Sequence, residues 1–426
     1  MDRYSITGCT VQDVQSLGGD NIQEARNVKI IFATLTDDQA NLLRSLGAKV
    51  NKVGSVKPPV PPSQVAPPLP IVPPPVAIYT PEFLVWAAGW EDLRSITSPP
   101  LYGAGLNLAF IDTGIRETHE KIAGRVVYSK NFTSDPMEDA YDHGSGVASI
   151  ALSIAPLCNI LNLKVIDSAG YGTEEAVVLA VDECIGLWDT RPEIAPAVIN
   201  MSIGAPDDGN PDNPMRVACR EAIARGIWIF AAAGNEGPDA GTMNMPACEQ
   251  YVGAVGSVGY EPFTISKFSS RGPSKEGLIK PDGVFFGENI SMASSKDDTA
   301  MVVKSGTSFA VPLASGMGIL YYEGVYRNVQ VTRPITIRAV PMAIQPMTEQ
   351  ELVDTWLYRI CLKPEGELVA KDNNYGYGLP FGPLIKDALQ IREGIDLSTV
   401  TSAAAFLMAL GMLAMVGKMA VGAARK

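Results

Sequence analysis

Histidine is nearly absent from this 426-residue chain, with only His119 and His143 present. Imidazole is the side chain best suited to moving protons near neutral pH, so a search for such chemistry has two starting points. A cationic excess is also missing. Lys and Arg total 34 against 46 Asp and Glu, for a formal net charge of -12 and a pI near 4.8. No basic stripe is visible, which argues against a nucleic-acid partner. The cysteines, Cys9, Cys158, Cys184, Cys219, Cys248 and Cys361, include no C-x-x-C pair. Neither a zinc site nor a dense disulfide framework is indicated, and each is expected to be a buried free thiol. Residues 1–5 lack the basic and apolar regions of a secretory signal, so export by that route is not expected and the compartment stays unassigned.

What is present is apolar material, 46% of residues, enough for a large core. One stretch stands apart: 397–417 carries no formal charge and matches the ~20 residues that cross a bilayer as a helix. Lys418, Arg425 and Lys426 follow it. A hydrophobic C-terminal helix over 397–424 is expected, anchoring the protein to a membrane or an apolar partner, with a buried core helix as the alternative.

At the other end, 28–33 reads as a strand and Thr36-Asp37-Asp38-Gln39 as a capping box opening a helix. Ala40, Leu43 and Leu46 have helical spacing, Gly47 is placed to end the helix, and 48–50 can return as a strand. Residues 1–55 are thus a small β-α-β unit. From 56 to 76 proline dominates, which predicts an extended spacer; a ligand for a proline-binding module is the other reading. Beyond it, strand-like runs at 106–111, 160–165, 197–201, 227–232 and 251–255 alternate with helical patterns such as 173–187 and 213–225. That alternation predicts an α/β fold, a mostly parallel sheet with helices on both faces, whose function gathers at the carboxyl ends of its strands.

Asp112 ends one such strand and is followed by Thr113-Gly114, a position where a carboxylate can orient an imidazole. His143 lies in Asp142-His143-Gly144-Ser145-Gly146, where glycine allows close backbone approach, whereas His119 sits in a charged run that reads as a solvated loop. Ser308 lies in Gly306-Thr307-Ser308-Phe309-Ala310-Val311-Pro312, a turn followed by a helix of small residues that can present a hydroxyl at a helix N-terminus. Asn235 follows the apolar run 230–233 and Gly234, and its amide can donate to an oxyanion. Taken singly, His143 reads more often as a structural histidine, Asp112 as a turn or N-cap carboxylate, Ser308 as a helix N-cap and Asn235 as a turn asparagine.

In this order and with these neighbours, Asp112, His143, Asn235 and Ser308 resemble the subtilases, the subtilisin-like serine peptidases. Similar motifs lie at Asn200-Met201-Ser202-Ile203-Gly204, Phe268-Ser269-Ser270-Arg271-Gly272-Pro273, Lys280-Pro281-Asp282-Gly283 and Asn374-Tyr375-Gly376-Tyr377-Gly378. The resemblance implies a subtilisin-like peptidase domain over 77–392, with Asp112, His143 and Ser308 as a catalytic triad and Asn235 in the oxyanion hole. It implies that Ser202, Ile203, Gly204, Ala231, Ala232, Ala233 and Gly234 line a cleft for a peptide or protein substrate. Glu236 would sit at its mouth, where it can favour a basic residue. The calcium loop of relatives is missing between Leu152 and Asn159, so no metal or other cofactor is expected to be required. The N-terminal unit resembles part of an inhibitory prosegment, shorter than a full one, which implies a self-processed precursor with an intramolecular inhibitor or chaperone; a retained docking domain is the rival. The chain departs from the family after His143, with Gly144-Ser145-Gly146 where Gly-Thr-His is usual. A peptide-binding pseudo-peptidase and a membrane-anchored interaction protein are the alternatives in other classes.

Overall fold

A computed structural model describes residues 1–58, 77–94, 99–328, 361–364, 367 and 371–382. Its centre is a seven-stranded sheet in the order Gly283–Phe286, Gly253–Val258, Trp228–Ala232, Pro196–Met201, Asn107–Asp112, Asn159–Lys164, Val126–Asn131, with every neighbouring pair parallel. Side chains alternate between faces. Leu108 and Phe110 join the apolar cluster that holds helices Gly144–Ile154 and Thr307–Asn328, while Ala109 and Ile111 join the one that holds Glu174–Thr190 and Pro214–Ala224. Burial on both faces is why these strands read as continuous apolar runs. The expected strands and both expected helices are present. Val126–Asn131 and Gly283–Phe286 were not expected; both lie at sheet edges, and the first is only partly buried.

The N-terminal unit is larger than the expected β-α-β. Strands Asp20–Ala25, Ile30–Leu35, Asp2–Thr7 and Lys49–Lys52 form, in that order, an antiparallel sheet backed by helices Val11–Ser16 and Asp37–Ser45. This is a β-α-β-β-α-β arrangement. Both helices open with a capping box, Thr10 with Asp13 and Thr36 with Gln39. Only the second stands before a clear apolar period, which is why it alone was legible. One side of this sheet has its own core, including Tyr4, Ile6, Ile31, Ala33 and Leu43, whereas Ala25, Val28, Ile30 and Phe32 pack into the apolar cluster on one face of the large sheet with helix Glu174–Thr190. Polar contacts fix the docking. The Asn27 and Val28 N–H groups donate to Asp182 Oδ1 at 2.7 and 3.0 Å, Arg3 Nε donates to Glu175 at 2.8 Å, and Lys49 meets Asp212 at 2.7 Å.

The segment leaving this unit does not begin a free spacer at residue 56. Ser55–Val56 pairs antiparallel with Gly172–Thr173, and Lys57 bridges Gly204. Residues 59–76 and the expected hydrophobic helix over 397–424 lie outside the described residues, as does most of the chain between 329 and 370. Among the described residues no helix is long and apolar enough to cross a membrane. Five cysteines are buried free thiols as expected, but Cys9 is only half-buried.

Candidate active site

Three segments far apart in sequence meet at the carboxyl end of the central strands. Asp112, the last residue of Asn107–Asp112, is buried, and its Oδ1 lies 2.7 Å from His143 Nδ1 and accepts the Thr113 N–H at 2.7 Å. A carboxylate beside Nδ1 keeps the hydrogen on that nitrogen and leaves Nε2 as the basic atom. His143 Nε2 is itself buried and without a hydrogen-bond partner. Phe309, the neighbour of Ser308, lies against the imidazole with ring centroids 5.4 Å apart.

His143 caps the buried helix Gly144–Ile154 and is held from behind by Asp139. The Asp139 carboxylate accepts the His143 N–H at 3.2 Å, the Ser145 N–H at 2.9 Å, the Ser145 hydroxyl at 2.6 Å and the Thr113 hydroxyl at 2.7 Å. It therefore ties the Asp112 turn to the His143 turn. Ser145, one of the two positions at which Gly144-Ser145-Gly146 departs from Gly-Thr-His, keeps a hydroxyl and is part of this knot. A Cβ at position 144 would lie 2.2 Å from the Gly114 carbonyl, so only glycine lets these turns approach so closely. Lys164 adds a second tie, donating to the Thr113 and Glu138 carbonyls at 2.7 Å each.

Ser308 is the second residue of helix Thr307–Asn328, buried at 1% exposure. Its Oγ donates to the Ser202 carbonyl at 3.1 Å, and the Ser202 Oγ donates to the Ser308 carbonyl at 2.8 Å. Pro312 stands where the helix would otherwise supply an N–H to that carbonyl, so the Ser202 hydroxyl replaces the missing helical donor. Asn200 Nδ2 donates to Ser202 Oγ at 3.0 Å, and Ser315 Oγ donates to Asn200 Oδ1 at 3.0 Å, which completes a buried polar chain under the cleft. Asn235 Oδ1 accepts the Thr307 N–H and hydroxyl, each at 2.9 Å, and its Nδ2 lies beside Gly306 on the approach to Ser308.

Of the expected cleft residues, Ser202 to Gly204 form an edge that is already paired, since Lys57 and Gly204 exchange backbone hydrogen bonds at 3.1 and 3.0 Å. Ala231 to Gly234 are buried beside it. Glu236 is exposed, but its Oε2 accepts from Ser270 Oγ at 3.0 Å and Asn244 Nδ2 at 3.2 Å. His119 is not in a solvated loop. It is fully buried, its Nδ1 accepts the Lys121 N–H at 3.2 Å and its Nε2 therefore donates to the Ala300 carbonyl at 2.9 Å. The charged residues around it project outward while the imidazole points in. Asp139, Thr113 and Lys164 were missed; nothing in their local sequence separates them from turn and strand residues. Among the described residues no group of three or more His, Cys, Asp or Glu is placed to hold a metal ion.

Comparison with known proteins places the chain in a family. The model of the subtilase family matches residues 103–378. The chain belongs to the subtilase family. Serine protease AprX of Bacillus subtilis is 30% identical over 257 residues, covering 52% of this chain and 58% of that protein. Proteinase T of Parengyodontium album is 31% identical over 235 residues, covering 54% of this chain and 74% of that protein. The chain spans about half the length of the first subtilases it matches, 58% and 44%. Among solved structures, the psychrophilic protease S41 shares the fold, with a TM-score of 0.51 at 23% identity over 66% of this chain and 92% of that one.

Proposed function

We propose that this subtilase is a serine endopeptidase working through an acyl-enzyme. The observation that carries the reading is the buried Asp112–His143 pair at 2.7 Å with Nε2 left unpartnered next to the helix that begins Thr307-Ser308. His143 Nε2 takes the Ser308 proton as Oγ bonds to the peptide carbonyl, then returns it to the amine as the C–N bond breaks. Asp112 holds the tautomer and stabilises the imidazolium. Asn235 Nδ2 and the Ser308 N–H receive the oxyanion, and losing one such donor typically costs on the order of 10²–10³ in turnover. Water then cleaves the ester by the reverse proton path. For this to happen Ser308 Oγ must leave the Ser202 carbonyl and turn toward Nε2. A pseudo-peptidase would have no need of a buried imidazole oriented in this way.

Residues 1–58 act as an intramolecular inhibitor in this reading, and the protein is made as a self-processed precursor. Support comes from the strand Ser55–Val56 and the Lys57–Gly204 bridge, which fill the edge where an extended substrate would add as a strand. Calcium is dispensable, because only four residues separate helix Gly144–Ile154 from strand Asn159–Lys164; melting temperature with excess calcium and with chelator should agree. The uncharged stretch 397–417 anchors the protein to a membrane, and a chain ending at Ile395 should fractionate without detergent. The central test is covalent labelling by a fluorophosphonate. Labelling is expected in the intact protein and none in Ser308→Ala; labelling that survives Ser308→Ala would refute the mechanism.

A further inference from the structure

Glu174 is the first residue of helix Glu174–Thr190, and at 5% exposure its carboxylate is buried where the N-terminal segment crosses the peptidase. It holds one residue of that segment at both backbone groups. The Gly54 N–H donates to Glu174 Oε2 at 2.9 Å, and the Glu174 N–H donates to the Gly54 carbonyl at 3.0 Å. The carboxylate cannot swing aside freely, because Oε1 accepts from Asn213 Nδ2 at 3.1 Å, and Asn213 is itself buried. Nor is there room for a side chain opposite it: a Cβ on residue 54 would lie 2.9 Å from Glu174 Cδ and 3.0 Å from Oε1.

Two residues further on, Val56 turns inward. It is 1% exposed and belongs to the cluster that includes Ile166, Ala176, Val177 and Ile203, while Ser55 and Lys57 on either side face outward. This is the alternation of a strand with one face buried. Every contact described so far is to peptide backbone or to an apolar side chain, groups that a substrate in the same register would also present. Lys57 lies opposite Gly204, two residues beyond Ser202, the residue whose carbonyl receives the Ser308 hydroxyl.

We infer that Glu174 is a specificity-determining residue, which makes the enzyme select extended peptides carrying glycine at the position of Gly54, two residues before the one that turns inward as Val56 does. This rests on the peptidase reading above. A charged acceptor meeting a backbone N–H is among the stronger hydrogen bonds, and a methyl group at residue 54 forces it open or displaces it from Asn213. The segment of the chain itself then carries the sequence its own cleft reads best.

The test uses the full-length protein and two readouts. The first is the rate of Ser308 labelling by a fluorophosphonate, which reports whether the cleft is free. Gly54→Ala should raise it by about tenfold, the scale of one charge-assisted hydrogen bond, and should add nothing in a Glu174→Ala background, where the carboxylate it collides with is gone. The second is kcat/KM of the Gly54→Ala protein on internally quenched peptides that differ only by glycine or alanine two residues before a valine. The glycine peptide should be preferred by about tenfold, and adding Glu174→Ala should erase the preference. Glu174→Gln, which keeps the shape and an acceptor, should retain part of it and guards against a folding defect in the alanine variant. Equal use of the two peptides by a protein whose Ser308 labels would overturn the inference while leaving the peptidase reading standing. So would a Gly54→Ala protein that melts lower but labels at the original rate, since that result belongs to a purely structural contact. Failure of Ser308 to label in every variant would remove the peptidase reading, and the inference with it.

Discussion

Ser202 and Ser308 exchange hydrogen bonds across the floor of the cleft, each hydroxyl donating to the other residue's carbonyl, at 3.1 Å from Ser308 and 2.8 Å from Ser202. The exchange exists because Pro312 has no N–H to offer the Ser308 carbonyl. A serine at the start of a helix, the proposed nucleophile, is thereby registered against a strand end more than a hundred residues earlier.

Ser202→Ala should strand the Ser308 carbonyl and cost about 1–3 kcal/mol, with turnover reduced as well. Adding Pro312→Ala restores a helical N–H for that carbonyl, so the double variant should melt higher than Ser202→Ala alone. Thermal melts of the two singles and the double check this. Strict additivity would mean that the two positions do not share the carbonyl.

The two histidines should separate cleanly. His143→Ala should lose nearly all peptide hydrolysis, a fall of order 10⁶ by analogy with triads that act as a unit, while remaining folded. His119→Ala should melt several degrees lower yet keep its chemistry at permissive temperature, because it removes a buried link to Ala300 and none of the reacting groups. Turnover measured alongside melting distinguishes them.

Asp139 is a positioning residue for His143, and Asp139→Ala should lower kcat by about tenfold or more with KM little changed, since it aligns the imidazole without touching substrate. Asp139→Asn keeps an acceptor and should recover part of the loss. A change confined to KM would place Asp139 in substrate binding instead.

Acid should weaken the fold through Asp282. Burial alone would raise this carboxyl, but the charges of Lys280 and Lys371, each 2.7 Å away, outweigh it and hold the group well below the usual carboxylate range. With the folded value depressed, the stabilisation is fully present above the unfolded value of about 4 and is lost as pH falls through the folded one. Asp282→Asn should cost about 3–5 kcal/mol at pH 7, because it leaves Lys280 buried without its counter-charge, and its disadvantage should shrink below pH 4. Denaturant melts at pH 7 and pH 3 measure both terms.

The central strands were legible in sequence because burial on both faces makes them apolar throughout, and the residues around Asp112, His143, Asn235 and Ser308 stood out because glycine and small residues crowd where backbones meet. What escaped were contacts made by ordinary residue types at a distance. Asp139 reads as any turn carboxylate until the fold folds it under His143, and Glu174 reads as a helix-opening acid until Gly54 is brought against it. His119 failed for a related reason: its neighbours are charged, and local polarity gives no warning that a single imidazole in the run points inward. The first strand and helix of the N-terminal unit were missed because Asp2–Thr7 and Val11–Ser16 are short and mostly polar; only Tyr4, Ile6 and Val14 commit them to a core.

Chain order adds a temporal meaning to the docked N-terminal unit. A ribosome delivers residues 1–58 before any strand of the large sheet, then Asp112 and His143, and Ser308 only after all seven strands, Gly283–Phe286 the last of them, and the whole Glu174–Thr190 helix have been made. The segment paired with Gly172–Thr173 and Gly204 is therefore already present when Ser308 emerges, so under the proposed function the chain never holds Asp112, His143 and Ser308 together without also holding the segment proposed to inhibit them.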